Sequence, residues 1–201
     1  MKNAAFMKHA KKSQNFFDTL SGAFAPFTFC LVGVIILSAT IQEESMNKTA
    51  LIMIDMQRGF IDPSSPICIA GAAGTVPACA EAIRFFHGNG QPLVYAVRHY
   101  RADGSDVEKA RAKIWTEGGK PLSESCAESM SDAFPEEFEV IDSDRIMIKP
   151  RFSAFFATSL DLVLRRLGVQ TVVLAGTTTP NCIRTTCYDA LSLDYDVIVL
   201  S

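Results

Sequence analysis

Apolar residues in this chain gather in short runs that do not alternate with polar ones. Ala50 to Ile54 is apolar throughout and gives way to Asp55. Pro92 to Val97, Arg145 to Ile148, Thr171 to Ala175 and Val197 to Leu200 are further runs of strand length. Runs this short, without a polar face, predict strands buried on both sides, as in a parallel sheet. Between them the spacing changes to three and four. Val76, Cys79, Ala80, Ile83 and Phe86 predict a helix opening near Thr75 and Pro77 and closing at Gly88-Asn89-Gly90. Leu160, Val163, Leu164 and Leu167 predict a second helix, capped by Ser153 or by the Thr158–Ser159 pair and ended by Gly168. A third is predicted over Asn181 to Leu193. Strands alternating with helices give repeated right-handed crossovers. The expected fold is therefore α/β: a doubly wound, mostly parallel, Rossmann-like sheet with helices on both faces.

Two stretches interrupt this rhythm. Met56 to Ala73 is a loop rich in Gly, Pro and Ser. Arg101 to Glu139 is charged and irregular, with a short helical piece around Val107 to Ile114. The second is too long for an inert loop in a compact domain and is expected to be a lid or a substrate-enclosing excursion.

The two ends follow a different pattern. Lys2, Lys8, Lys11 and Lys12 precede an uncharged stretch from Leu20 to Ile41. A basic segment followed by a long apolar one fits a membrane anchor or targeting segment. Met46-Asn-Lys-Thr, however, opens directly onto the first strand, as a cytosolic domain normally begins. Residues 1–45 are therefore better taken as an over-extended start before a domain at 46–201, with the anchor as the alternative. The second reading implies a cytoplasmic protein, the first a membrane-anchored one held through residues 20–41. At the other end the chain stops at Ser201, straight after an apolar run. A buried strand there needs covering, so the domain reads as truncated at its C-terminus.

Composition narrows the partners. The chain has 201 residues, 48% hydrophobic and 20% charged, which suits one α/β domain. A net charge of -3 with both signs interspersed argues against nucleic acid and leaves a small molecule as the expected partner. The six cysteines form no Cys-x-x-Cys pair and no regular spacing, as expected of reduced thiols.

Candidate chemistry lies where three strands end. Asp55 follows the first, Lys149 the third, and Cys182 comes a short loop after the fourth. Ligands collect at the carboxyl ends of parallel strands. Cys182 would attack a carbonyl carbon, Asp55 would take the thiol proton and return it to a leaving amine, and Lys149 would favour the anionic partners beside it. A thiol at a strand-to-helix turn is expected to have a lowered pKa. Singly, each residue has a plainer role: a turn aspartate, a surface lysine, a core cysteine. Their joint appearance after successive strands points to a site.

Three segments carry a family resemblance: Asp55-Met56-Gln57 with Phe60, Lys149-Pro150-Arg151-Phe152-Ser153-Ala154-Phe155, and Gly176-Thr-Thr-Thr-Pro-Asn-Cys182. From about Lys48 to Ser201 the chain resembles the isochorismatase-like cysteine hydrolases, above all their amidohydrolase branch. That branch contains N-carbamoylsarcosine amidase, ureidoacrylate and biuret hydrolases, and nicotinamidases. The resemblance implies an Asp55–Lys149–Cys182 triad and a cis Thr177–Thr178 peptide. It also implies an oxyanion hole from the N–H groups of Thr178 and Cys182. Family members that cleave a vinyl ether lack the cysteine, so Cys182 implies hydrolysis of a C–N bond through a thioester. Nicotinamidases hold a metal with an Asp and histidines set between the first two strands. Here the histidines are His9, His87 and His99, with none near Asp62, so no metal or other cofactor is expected. A homo-oligomer is implied as well.

Substrate-pocket candidates are Gln57, Phe60, His99, Tyr100, Trp115 and Phe152. Gln57 would bond a substrate carbonyl or fix its own loop. Trp115, the sole tryptophan, would stack on a planar substrate or pack the excursion. Two other classes remain open. One is a non-catalytic α/β interaction module, tethered to a membrane if residues 20–41 anchor it. The other is a mononucleotide or flavin binder, which would want a Gly-rich loop after the first strand where this chain has Asp55-Met-Gln-Arg-Gly59.

Overall fold

The computed structural model describes residues 48–200. The candidate anchor at 20–41 lies outside them, and among the described residues no helix is long and apolar enough to cross a membrane. Five strands, β1 (Thr49–Ile54), β2 (Leu93–Val97), β3 (Arg145–Ile148), β4 (Thr171–Gly176) and β5 (Asp196–Val199), form one parallel sheet in the order β3-β2-β1-β4-β5. The helices are a one-turn α1 (Arg58–Ile61), α2 (Ala72–Gly88), α3 (Ala112–Glu117), α4 (Leu160–Arg166) and α5 (Arg184–Ser192).

Why β1 is central follows from its side chains. All six of its residues are buried, and successive ones serve opposite faces. Ala50, Ile52 and Ile54 join Leu160 and Leu164 of α4 and Ala190 of α5 in one cluster. Leu51 and Met53 join Val76, Cys79, Ala80, Ile83 and Phe86 of α2 in the other. Burying a Leu or Ile side chain contributes roughly 1.5–3 kcal/mol, so a strand apolar on both faces belongs in the middle of a doubly wound sheet. The edge strands β3 and β5 are largely exposed.

Several boundaries differ from the expected ones. α2 starts at Ala72, one turn before Pro77, so the proline sits inside the helix rather than marking its start. The helical piece of the excursion is Ala112–Glu117 rather than 107–114. Thr158, two residues before α4, accepts the N–H of Leu160 through its hydroxyl at 3.2 Å; Ser153 instead binds the N–H of Phe155 at 3.1 Å. The predicted third helix is split, with a wide π-type turn over Thr179–Ile183 leading into α5.

Strand order sets the position of the site. From β1 the chain winds outward through β2 to β3, then crosses back to β4 on the other side of β1. The connections leaving β1 and β4 therefore diverge and open a crevice above their carboxyl ends. Residues 101–139 close over it from one side. Arg58 N–H donates to Ala133 O at 2.7 Å and Gly59 N–H to Ser131 O at 2.9 Å, tying the excursion to α1. Phe60, Tyr100, Val107, Trp115 and Leu122 pack together as a third apolar cluster beneath it.

Candidate active site

Asp55, Arg98 and Lys149 occupy equivalent places, each the first residue after its strand. The ladder continues one bond past each strand to hold two of them: Asp55 N–H donates to Ala96 O at 3.0 Å, and Lys149 N–H to Val97 O at 2.8 Å. Asp55 has a positive φ of 52°, a left-handed turn that Asp adopts more readily than most residues. β3 lies two strands from β1, roughly 10 Å across the sheet. A long side chain is needed to span that, and the lysine stem does so. Lys149 Nζ lies 2.8 Å from Asp55 Oδ2 and 3.5 Å from Cys182 Sγ.

Cys182 arrives from the other side of β1. Gly176 closes β4 with a φ of 115°, and a Cβ there would sit 2.1 Å from Ile54 O. Only glycine allows the two backbones so close, and Thr177 N–H uses the approach to donate to the same oxygen at 2.9 Å. The Thr177–Thr178 peptide is cis, and the wide turn over Thr179–Ile183 brings Cys182 back over the end of β1. Lys149, Asp55 and Cys182 are 1%, 2% and 7% exposed, so all three lie in a medium of low polarity.

Burial changes the state of the thiol. Its pKa is pushed up to about 11, first by burial and then by the charge of Asp55, which together outweigh the pull of Lys149. The lowered value expected from the strand-to-helix turn is thus corrected. The sulfur is held protonated, and the Asp55–Lys149 ion pair lies beside it. Asp55 Oδ2 faces Lys149, while Oδ1 is buried with no partner.

Above these groups lies a cavity of about 50 Å³, lined by Asp55, Phe60, Ile69, Arg98, Arg111, Thr177, Thr178, Asn181 and Cys182. That is space for a few waters, or for one small planar group and what it carries. Of the six pocket candidates, Phe60 lines it and the other five do not. Gln57 fixes its own loop: Nε2 donates to Arg98 O at 2.7 Å and to Asp132 O at 3.2 Å, and Oε1 accepts from Arg98 N–H at 2.8 Å. Trp115 packs edge-on against Tyr100 and donates its indole N–H to Pro121 O at 2.8 Å, which makes it excursion core. Tyr100 donates its hydroxyl to Glu108 at 2.7 Å, behind the cavity wall. His99 turns toward solvent and pairs with Asp132 at 2.7 Å. Phe152 lies under the guanidinium groups of Arg98 and Arg111, 5.5 and 5.1 Å from their carbons, and supports the wall without facing the cavity.

Arg98, Arg111, Ile69 and Asn181 were not found by the sequence reading. For Arg98 a signal existed, since it follows β2 as Asp55 follows β1 and Lys149 follows β3. Among the described residues no three His, Cys, Asp or Glu side chains cluster in a way that could hold a metal ion.

This arrangement has relatives. The isochorismatase domain model matches residues 49–201. A protein of Arabidopsis thaliana described as a "probable inactive nicotinamidase" is 34% identical over 154 residues, covering 76% of this chain and 77% of its own. The crystal structure of an isochorismatase family protein from Desulfovibrio vulgaris superposes with a TM-score of 0.70 at 42% identity, over 76% of this chain and 78% of that one. N-carbamoylsarcosine amidase from Thermoplasma acidophilum does so with a TM-score of 0.61 at 30% identity, over 76% and 79%. The chain belongs to the isochorismatase family and is a hydrolase of that family.

Proposed function

We propose that this isochorismatase-family hydrolase cleaves a C–N bond in a small amide, ureide or carbamoyl compound through a thioester on Cys182. The observation that carries the reading is the position of Lys149 Nζ, within reach of both Asp55 Oδ2 and Cys182 Sγ beside a cavity of small volume. A thiol with a pKa near 11 is almost wholly protonated at neutral pH, so its proton must leave in the step that uses the sulfur. Asp55 is the base at hand.

In the proposed sequence, Cys182 Sγ attacks the carbonyl carbon as its proton passes to Asp55. The oxyanion of the tetrahedral intermediate takes N–H donors from Thr178 and Cys182, an arrangement that removal of one donor typically weakens by 10²–10³-fold. Asp55 then gives its proton to the departing nitrogen, and ammonia or an amine leaves. A water entering the same place loses a proton to Asp55 and attacks the thioester. The product acid departs and the proton returns to the sulfur. Lys149 remains paired throughout, balancing charge as it moves between Asp55 and the sulfur.

The test is an ammonia-release screen over ureides, carbamoyl amino acids and simple amides, with Cys182→Ala as the control. Release by the wild-type chain and none above background by the variant is the expected result. Equal release by both, or none from any compound, would reject the reading.

A further inference from the structure

β3 lies at one end of the sheet, and its outer edge is open. Lys149 N–H donates to Val97 O, and in the parallel ladder with β2 every second residue of β3 turns its backbone groups the same way. Arg145, Met147 and Lys149 therefore face β2. The N–H and C=O of Ile146 and Ile148 point outward, where among the described residues no strand lies. Their side chains are bare as well, 58% and 55% exposed. Both stand on the sheet face opposite Met147, which packs against the cluster under α4. Val140 and Ile141, in the turn leading into β3, are also exposed.

Natural sheet edges are guarded by a charge, a proline or a bulge. In β3 such residues stand only at the ends, as Arg145 and Pro150, and Ile146 to Ile148 has none. Free donors and acceptors on an apolar edge are completed by another strand. The run fits itself. Laid antiparallel about a two-fold axis through Met147, it places Ile146 opposite Ile148 in both directions. Those are the residues whose backbone groups are free. Each Ile146 can exchange both hydrogen bonds with the partner's Ile148, while Met147, engaged by β2, takes the non-bonded position. The isoleucine side chains then meet across the join on one face.

Charge agrees with this direction. Glu139 and Asp142 precede the strand and Arg151 follows it, so an antiparallel neighbour sets an acidic beginning against a basic end. Arg145 comes opposite Lys149, whose ammonium is turned inward to Asp55. On the other face Ser159 Oγ lies 3.7 Å from Met147 Sδ, and Phe156 and Leu162 on either side of it in sequence are exposed. Apolar surface thus continues round the edge.

We propose that the outer edge of β3 binds a second copy of this chain, the two strands pairing antiparallel so that one sheet runs through both copies. Lys149 follows Ile148 directly, so the join braces from outside the strand that carries it to Asp55 and Cys182.

Light scattering on the full chain over a dilution series should give twice the chain mass, falling to the single mass on dilution. Ile146→Lys puts a charge at the join and none in the core. It should keep the wild-type melt and raise the dissociation constant at least about tenfold. Ile148→Glu should do the same alone. Mixed together, the two variants set lysine against glutamate at one pair and isoleucine against isoleucine at the other, and the dimer should return. Met147→Cys reads the register independently. Cα atoms about 4.5 Å apart in a non-bonded pair admit a disulfide, so oxidation should link two chains through that peptide. A wild-type chain that stays monomeric, with fast amide exchange at Ile146 and Ile148, would overturn the proposal. So would a monomer with those amides protected, which would assign the edge to residues 1–45 of the same chain. A dimer unmoved by Ile146→Lys, or one that mixing does not restore, would refute the pairing as described.

Discussion

Replacing Asp55 by Asn should make Cys182 more reactive toward an alkylating agent while abolishing hydrolysis. The reasoning starts from the thiol. With a pKa of about 11 against an ordinary 9.0, its thiolate fraction at pH 8 is about one in a thousand rather than about one in ten. Alkylation follows the thiolate, so wild-type Cys182 should react about a hundredfold more slowly than an ordinary thiol. Asp55 contributes to that elevation through its charge, the largest cause after burial. Asn removes the charge, keeps the shape, and tolerates the left-handed backbone at this position. Lys149 is then left 3.5 Å from the sulfur with no other anion beside it. At an effective dielectric of about 20, a full charge at that distance is worth about 5 kcal/mol, or between three and four pKa units before burial offsets part of it. The expected result is iodoacetamide labelling at least tenfold faster in Asp55→Asn than in wild type at pH 8. The readout is the mass of the Cys182 peptide, since Cys68, Cys126 and Cys187 are partly exposed and also free. Ammonia release should fall at least a thousandfold in the same protein. Labelling no faster than wild type would show that Asp55 is not what keeps the thiol protonated.

Three other outcomes follow from the same geometry. Lys149→Met strands a buried carboxylate, so it should cost about 3–5 kcal/mol in urea unfolding and remove activity; an unchanged unfolding midpoint would show the pair is not buried as described. Gly176→Ala forces a Cβ to 2.1 Å from Ile54 O and should either prevent soluble expression or lower the melting temperature by more than ten degrees, with a wild-type melt as the contrary result. Raising the pH should destabilise the wild-type chain more than Cys182→Ala. The unfolded thiol gives up its proton near 9 while the folded one retains it to about 11, so the stability it contributes is lost as pH rises through that window. By pH 10.5 the two proteins should differ by about 2 kcal/mol in that loss, read from urea curves at pH 8 and 10.5; parallel losses would contradict it.

Much of the sheet was legible because its central strands are apolar on both faces, a pattern that a parallel, doubly covered sheet requires. The runs of β3 and β5 are equally apolar yet lie at largely exposed edges. Asp55 and Lys149 were legible because a polar residue ending such a run must sit at the sheet's carboxyl edge. Arg98 obeys the same rule after Val97, yet His99 and Tyr100 beyond it draw attention as more familiar chemistry. What makes Arg98 tolerable in the interior is Glu108, ten residues away in a stretch without periodicity, and no local pattern reports that pairing. Gln57, Trp115 and Phe152 were candidates by residue type. Whether such side chains face a cavity or support its wall depends on how residues 101–139 fold back, which spacing does not encode. The thiol pKa went astray for a related reason: the turn that lowers it is local, while the burial and the carboxylate that raise it come from other strands.

The most direct test of Cys182 as nucleophile is the mass of the protein during turnover of a substrate from the amide screen, quenched in acid within milliseconds. The proposed thioester predicts an adduct equal to the substrate less its departing ammonia or amine, mapped to the Cys182 peptide, with no adduct and no turnover in Cys182→Ala. Sustained hydrolysis with Cys182 unmodified at every quench time, retained in Cys182→Ala, would contradict it.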